Sequence, residues 1–245
     1  MNIFAIVQAR IGSTRLRGKV LMDISSRPMV WHVIDRLRTA KRITDVILAI
    51  PDTQENDVLA DFAKNNQIKY FRGDENNVLS RYYAAAKEFN VDIVVRVTSD
   101  CPMIDPQIVD QVVEACLLPG VDFSSNFINR LFPRGADAEA FYFSALEKVW
   151  QEARETYQRE HVTPYIYENP QLFKIQSVEP KDELRNPDLR LTVDTQPDLD
   201  LAREIYKRLY IPGEIFSIEE VIALLDKEPQ LKEINKEIKQ KPFRP

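Results

Sequence analysis

The chain has 245 residues, 44% of them hydrophobic and 29% charged, an ordinary globular balance with apolar material for a sizeable core. A net charge of −5 argues against a general nucleic-acid binder, and two cysteines, Cys101 and Cys116, make no disulfide framework and suit a reducing compartment. No apolar run approaches the roughly 18 residues of a membrane span and residues 1–7 carry no basic leader, which predicts a cytoplasmic protein without membrane or nucleic-acid partners.

Residues 3–7 form a continuous apolar run, as expected of a strand buried on both faces. Further runs follow at 45–50, 68–71, 93–97 and, more weakly, 189–193. Between them apolar residues recur at helical spacing: Val30, Val33, Ile34 and Leu37, then Leu79, Tyr82, Tyr83 and Ala86, then Val109, Val112, Val113 and Cys116. Asp105-Pro106 reads as an N-cap with proline in the first turn, and Ser144 with Glu147 and Ser217 with Glu220 are spaced as capping boxes. This rhythm predicts an α/β fold, one doubly wound and mostly parallel sheet forming a single domain over 1–245. Residues 124–178 break the rhythm with a helix carrying Leu146, Val149, Trp150 and Ala153 and an aromatic-rich stretch from His161 to Tyr167. They read as an inserted substrate or dimerisation segment. Residues 228–245 read as a charged surface helix, to about 241, and a tail.

The segment QARIGSTRLRGKVLM after the first strand carries Arg10, Arg15, Arg17 and Lys19 and no acid, in a chain that is acidic overall. Ligands of an open parallel sheet bind beyond the carboxyl ends of its strands, where this loop must lie. Gly12 and Gly18 would let backbone N–H groups approach phosphate oxygens while the arginines and the lysine neutralise charge. Walker A is excluded, because five residues separate the glycines and Val20 follows Lys19; GxGxxG is absent. The other reading is a solvated basic loop.

Asp100 follows the run 93–97, and Asp194 follows Leu191-Thr192-Val193. If both strands run parallel to the first, both carboxylates emerge beside the basic loop, a set suited to Mg²⁺ with phosphate oxygens. Taken singly, Asp100 is equally a turn residue before Pro102, and Asp194 a helix cap, although Thr195 with Asp198 already supplies a capping box. His32 reads as a packed helix residue, His161 has no second histidine for a zinc site, Cys101 has no evident base partner, and no GxSxG elbow exists.

IVQARIGSTRLRGKVLMDISSRPMVWHVIDRL resembles the N-terminal nucleotide signature of the cytidylyltransferase family of CMP-Kdo and CMP-sialic acid synthetases. FRGDENNVLSRYYAAAK, RVTSDCPMIDP, FPRGADAEAFYFSALE, REHVTPYIYENP and LRLTVDTQPDLDLAREIY resemble its later blocks in the same order. The likeness runs from about residue 2 to 210 and is greatest to the spore-coat polysaccharide biosynthesis branch. It implies a Rossmann-like nucleotidyltransferase fold in which Arg10, Ser13, Arg15 and Lys19, with Gly12, meet the CTP phosphates. It implies that Gln8, Ala9 and Arg72 frame cytosine and ribose, that Asp100 and Asp194 bind magnesium, and that Arg134, Asp137, Glu139, Arg159 and His161 face the sugar. Kdo enzymes carry Gly-Asp-Glu-Pro where this chain has Ser99-Asp100-Cys101-Pro102, so the acceptor stays open.

The resulting expectation is a Mg²⁺-dependent transfer of CMP from CTP to an acidic or modified sugar for surface polysaccharide, releasing pyrophosphate, with Lys19, Arg10, Asp100 and Asp194 as the catalytic groups. A sugar-1-phosphate nucleotidyltransferase, a glycosyltransferase using Asp198-Leu199-Asp200, and a catalytically silent nucleotide-binding subunit are the alternatives. The resemblance also implies a homodimer with 124–178 at or near its interface.

Overall fold

The computed structural model describes residues 1–240. Ile3–Gln8 (β1) is apolar on both faces because both are covered: Ile3, Ala5 and Val7 enter one core, Phe4 and Ile6 another. After β1 come a small hairpin, Asp23–Ile24 (β2) and Arg27–Pro28 (β3), then Met29–Arg38 (α1), Asp45–Pro51 (β4), Asp57–Asn65 (α2), Lys69–Gly73 (β5), Val78–Glu88 (α3), Ile93–Thr98 (β6) and Pro106–Cys116 (α4). Phe123–Ser125 (β7), Glu139–Tyr142 (β8), Phe143–Glu152 (α5), Thr156–His161 (α6), Pro164–Glu168 (α7), Ile175–Ser177 (β9), Gln196–Leu209 (α8) and Ile218–Lys227 (α9) follow.

One seven-stranded sheet runs β5-β4-β1-β6-β8-β7-β9, parallel throughout except for β8. The apolar stripes of α1, α2, α4, α8 and α9 pack on the side of Ala5 and Val7, and those of α3 and α5 on the side of Phe4 and Ile6. This is the doubly wound, mostly parallel α/β sheet that the alternating pattern predicts. From β1 the chain steps outward through β4 to β5, then returns to pair β6 with the other edge of β1. The strand order therefore reverses between β1 and β6. Loops leaving their carboxyl ends diverge there and open a crevice.

Segment 124–178 is threaded into this sheet: β8 extends the β6 edge, and β7 and β9 continue it. Three local expectations need correction. Residues 189–193 form no sheet strand, because β1 and β8 occupy both edges of β6; they make only an isolated bridge between Arg134 and Arg190. Ser144 is not an N-cap, because β8 runs directly into α5 and the helix begins at Phe143, whose N–H donates to the Asp92 carbonyl. Residues 228–240 are not an α-helix. Pro229–Glu233 makes a 3₁₀ turn, and the chain beyond it is pinned by the buried Asn235; residue 241 onward lies outside the described residues. The capping boxes at Ser217 and Thr195 and the Asp105-Pro106 start are present.

Candidate active site

The crevice is a cavity of about 1670 Å³. That exceeds the few hundred to 1,000 Å³ of an ordinary small-ligand pocket and leaves room for a nucleotide and a second substrate. One side of it begins where β1 ends. Gln8, Ala9, Arg10, Ser13, Arg15 and Lys19 all line it. The loop is folded back by two bonds to one acceptor, the Ile11 carbonyl, from the N–H groups of Ser13 (2.8 Å) and Gly18 (2.9 Å). Gly18 sits at φ +71, the left-handed conformation that glycine adopts without a Cβ penalty, and its turn delivers Lys19 inward. The side-chain Oε1 of Gln8 is buried without a hydrogen-bond partner, a polar atom left for a ligand to satisfy.

Lys19 is the centre of the site. Its ammonium donates to Asp100 Oδ2 at 2.9 Å, to Asp194 Oδ1 at 2.8 Å and to the Val193 carbonyl at 2.8 Å. Arg15 Nη2 reaches the same Asp194 Oδ1 at 2.8 Å. Burial alone would lower the Lys19 pKa, but the two carboxylates outweigh it and the net shift is upward. Burial would likewise raise the Asp194 pKa; Lys19, Arg15 and Arg190 reverse that and hold it below the usual carboxylate value. The two acids that the sequence separates widely therefore share one cation beside the basic loop.

Asp194 arrives there without a strand. The Arg134 N–H donates to the Leu189 carbonyl (2.9 Å), the Leu191 N–H to the Arg134 carbonyl (2.7 Å), and the Val193 N–H to the Asp100 carbonyl (2.8 Å). Gly135 makes this splice fit. At φ +99 it lies so close to the segment that a Cβ would stand 2.5 Å from the Thr192 nitrogen.

The other half of the crevice comes from 124–178. Arg134, Asp137, Glu139 and His161 line it. The buried Glu139 on β8 meets Arg96 on β6 at 2.5 Å, and Asp137 pairs with Arg130. Burial raises the Asp137 and Glu139 pKa values against the pull of those arginines. Burial, with Arg96 adding to it, lowers that of His161, which is therefore neutral at pH 7. His161 and Thr163 flank Val162, a fully buried β-branched residue at φ 73 and ψ −56, with the Thr163 N–H bonded to the His161 carbonyl at 2.9 Å. That is a strained γ-turn, and it sets both neighbours on the crevice wall.

Three expected residues stand apart. Arg72 faces outward to Asp52 and Asp57 and donates to the Thr53 carbonyl. Gly12 is not in the lining, and its nearest neighbours are the side chains of Glu55 and Glu75. Arg159 ties α6 back to the end of α5 by donating to the Ala153 carbonyl. In their place the crevice uses Arg81, Arg96, Arg130, Thr98 and Thr192. A charge inside an apolar strand (Arg96) and one between Leu79 and Tyr82 on an apolar helix face (Arg81) were legible signals. The glycosyltransferase alternative loses its motif: Asp198 is fully enclosed, paired with Arg190 and capping α8, and Asp200 points to solvent. Cys101 is buried with its thiol pushed well up, unsuited to attack.

The sequence pattern of the cytidylyltransferase family matches residues 4–233. The spore coat polysaccharide biosynthesis protein SpsF of Bacillus subtilis is 30% identical over 233 residues, 93% of this chain and 95% of SpsF. An uncharacterized protein of Methanocaldococcus jannaschii is 39% identical over 244 residues, 100% of this chain and 98% of the relative. Among solved structures, a cytidylyltransferase from Leptospira borgpetersenii superposes with a TM-score of 0.89 at 33% identity, covering 98% of this chain and 100% of that one. With its Rossmann-like sheet and its crevice at the strand-order reversal, this chain belongs to the cytidylyltransferase family.

Proposed function

We propose that the chain transfers CMP from CTP to an acidic or modified sugar in a Mg²⁺-dependent reaction that releases pyrophosphate. The observation that carries this reading is the meeting of Lys19 and Arg15 with Asp100 and Asp194 at the mouth of β1 and β6. Among the described residues no cluster of three or more metal-ligating side chains exists. A pair of carboxylates completed by phosphate oxygens and water is the pattern magnesium favours. Asp100 and Asp194 would hold the ion, and Mg²⁺ bound there would neutralise charge on the phosphates.

The chain's own groups do the rest. Lys19, Arg15 and Arg10 hold the triphosphate and stabilise the charge that collects on the departing pyrophosphate. The unpartnered Gln8 Oε1 supplies an acceptor for an amino group such as that of cytosine. Arg134, with Arg130 and Arg96 nearby, receives an anionic sugar and orients its hydroxyl for in-line attack on the α-phosphorus.

Incubation with each of the four NTPs and a panel of carboxylated sugars, following pyrophosphate, tests the reading. Release with CTP alone is expected. Release with UTP or dTTP and a sugar-1-phosphate would assign the chain to that class instead, and CTP binding without release from any sugar would make it a silent subunit.

The proposal includes a cytoplasmic homodimer. No helix among the described residues is long and apolar enough to cross a membrane. Ile128, Trp150 and Leu172, all within 124–178, expose 38%, 36% and 40% of their surface and supply apolar area for such a contact. Sedimentation as a monomer at working concentration would overturn the dimer.

A further inference from the structure

Behind Asp194, Arg190, Asp198 and Asn235 form a buried polar network to which the proposed mechanism assigns no role. Arg190 Nη2 donates to Asp194 Oδ2 at 2.9 Å, and Arg190 Nε donates to Asp198 Oδ1 at 2.9 Å. Asp198 Oδ2 accepts from the N–H groups of Asp194 and Thr195, each at 3.0 Å, so it fixes the backbone that carries Asp194. The network is closed from the far end of the chain. Asn235 Nδ2 donates to Asp198 Oδ1 at 2.9 Å and to the Arg190 carbonyl at 3.1 Å. Arg190, Asp194, Asp198 and Asn235 expose 7%, 6%, 2% and 6% of their surface. Arg190, Asp198 and Asn235 do not line the crevice.

The division of labour at Asp194 follows from its two oxygens. Oδ1 faces the crevice and is shared by Lys19 and Arg15, the cations assigned to the triphosphate. Oδ2 faces the interior and is tied to Arg190. When Lys19 and Arg15 turn to phosphate, Oδ1 is released while Oδ2 stays held. We infer that Arg190 and Asn235 are positioning residues that fix Asp194 so that a single oxygen, Oδ1, is presented to a nucleotide-bound divalent cation. Asn235 thereby acts on the site from outside the crevice, while Gln240, in the same segment, accepts from Arg190 Nη1 at 2.6 Å and lines the crevice itself. This rests on the reading of Asp194 as a cation ligand in the proposed function. A planar guanidinium is required at 190, since a lysine ammonium cannot present two parallel N–H edges to two carboxylates.

The test is CTP titration by calorimetry, in EDTA and at saturating Mg²⁺, for the wild type, Asn235→Ala and Arg190→Lys, with thermal melting of each. The wild type should bind CTP more tightly with Mg²⁺. Outer partners of metal ligands typically contribute about 10-fold or more to metal affinity, so both variants should lose roughly 10-fold of the Mg²⁺ enhancement. Their affinity in EDTA should stay within about twofold of the wild type, with one cooperative melt. An unchanged enhancement in both variants overturns the inference, and so does an equal loss of affinity with and without Mg²⁺, the mark of a merely structural role. A wild type whose CTP affinity ignores Mg²⁺ overturns the ligand reading of Asp194 itself, and this inference falls with it. Should Asn235→Ala fail to melt cooperatively, Arg190→Lys decides alone.

Discussion

The backbone N–H of Val193 donates to the carbonyl of Asp100 at 2.8 Å, and the neighbouring Thr192 hydroxyl donates to the same oxygen at 3.2 Å. A main-chain splice outside the sheet ladder thus sets Asp194 beside Asp100. The relative position of the two acids depends on everything that lets residues 189–193 lie flat against Arg134 and Gly135.

Gly135→Ala should therefore damage both stability and activity. Its Cβ would meet the Thr192 nitrogen at 2.5 Å, on a backbone at φ +99. The left-handed conformation alone costs a residue with a Cβ about 1–2 kcal/mol, and the clash adds to it. Denaturant unfolding should show a loss of at least that size, and pyrophosphate release should fall with it. An unchanged midpoint would mean that the segment is not held against Gly135.

Lys19→Ala should lower turnover by about 10²–10³-fold, the usual consequence of removing a preorganised charge-stabilising donor. Folding should survive, because Asp194 keeps Arg15 and Arg190 as partners. A stability loss of roughly 1–3 kcal/mol from the missing charged hydrogen bonds is expected. Wild-type turnover in steady-state assays would remove Lys19 from the mechanism.

The pKa shifts predict the shape of stability against pH. The folded Asp194 and Asp198 pKa values are lowered, so their contributions exist above the unfolded carboxylate value of about 3.9 and disappear as pH falls through the depressed folded values. The Lys19 value is raised, so its contribution is complete below 10.5 and disappears as pH climbs through the folded value. Melting temperatures should show that Arg190→Met moves acid unfolding to higher pH and that Lys19→Met flattens the alkaline fall. Superimposable curves would show that these pairs do not carry the pH dependence.

Asp200→Ala should leave turnover unchanged, since Asp200 is exposed and only neighbours Gln196 and Arg203 on α8. Asp198→Ala should destabilise by about 3 kcal/mol, because Arg190 and the α8 cap both lose a buried partner. Inactivation of Asp200→Ala without unfolding would restore the Asp-x-Asp alternative.

Part of the site was legible because its signal is local. The basic loop follows the first strand directly, and any parallel sheet places that loop at a carboxyl edge. Arg72 misled because its partners Asp52 and Asp57 are set by how β4, β5 and α2 pack, which no nearby residue announces. Arg96 reads as an oddity in an apolar strand until β8 pairs beside it and brings Glu139 into contact. Asn235 sits in a stretch of charged residues that looks solvated, and only its bonds to Arg190 and Asp198 reveal it as buried.

The sequence by itself determined the α/β alternation, the four parallel strands β1, β4, β5 and β6, the helix starts with genuine caps, and the cationic loop. Each of these depends on periodicities and propensities that act over a few residues. Tertiary structure alone decided that β8 takes the open edge of β6, that 189–193 is excluded from the sheet, and which acid meets which cation. Those outcomes depend on which edges and charges remain unpaired when distant segments pack, and a buried charge takes whatever partner the fold brings within about 3 Å.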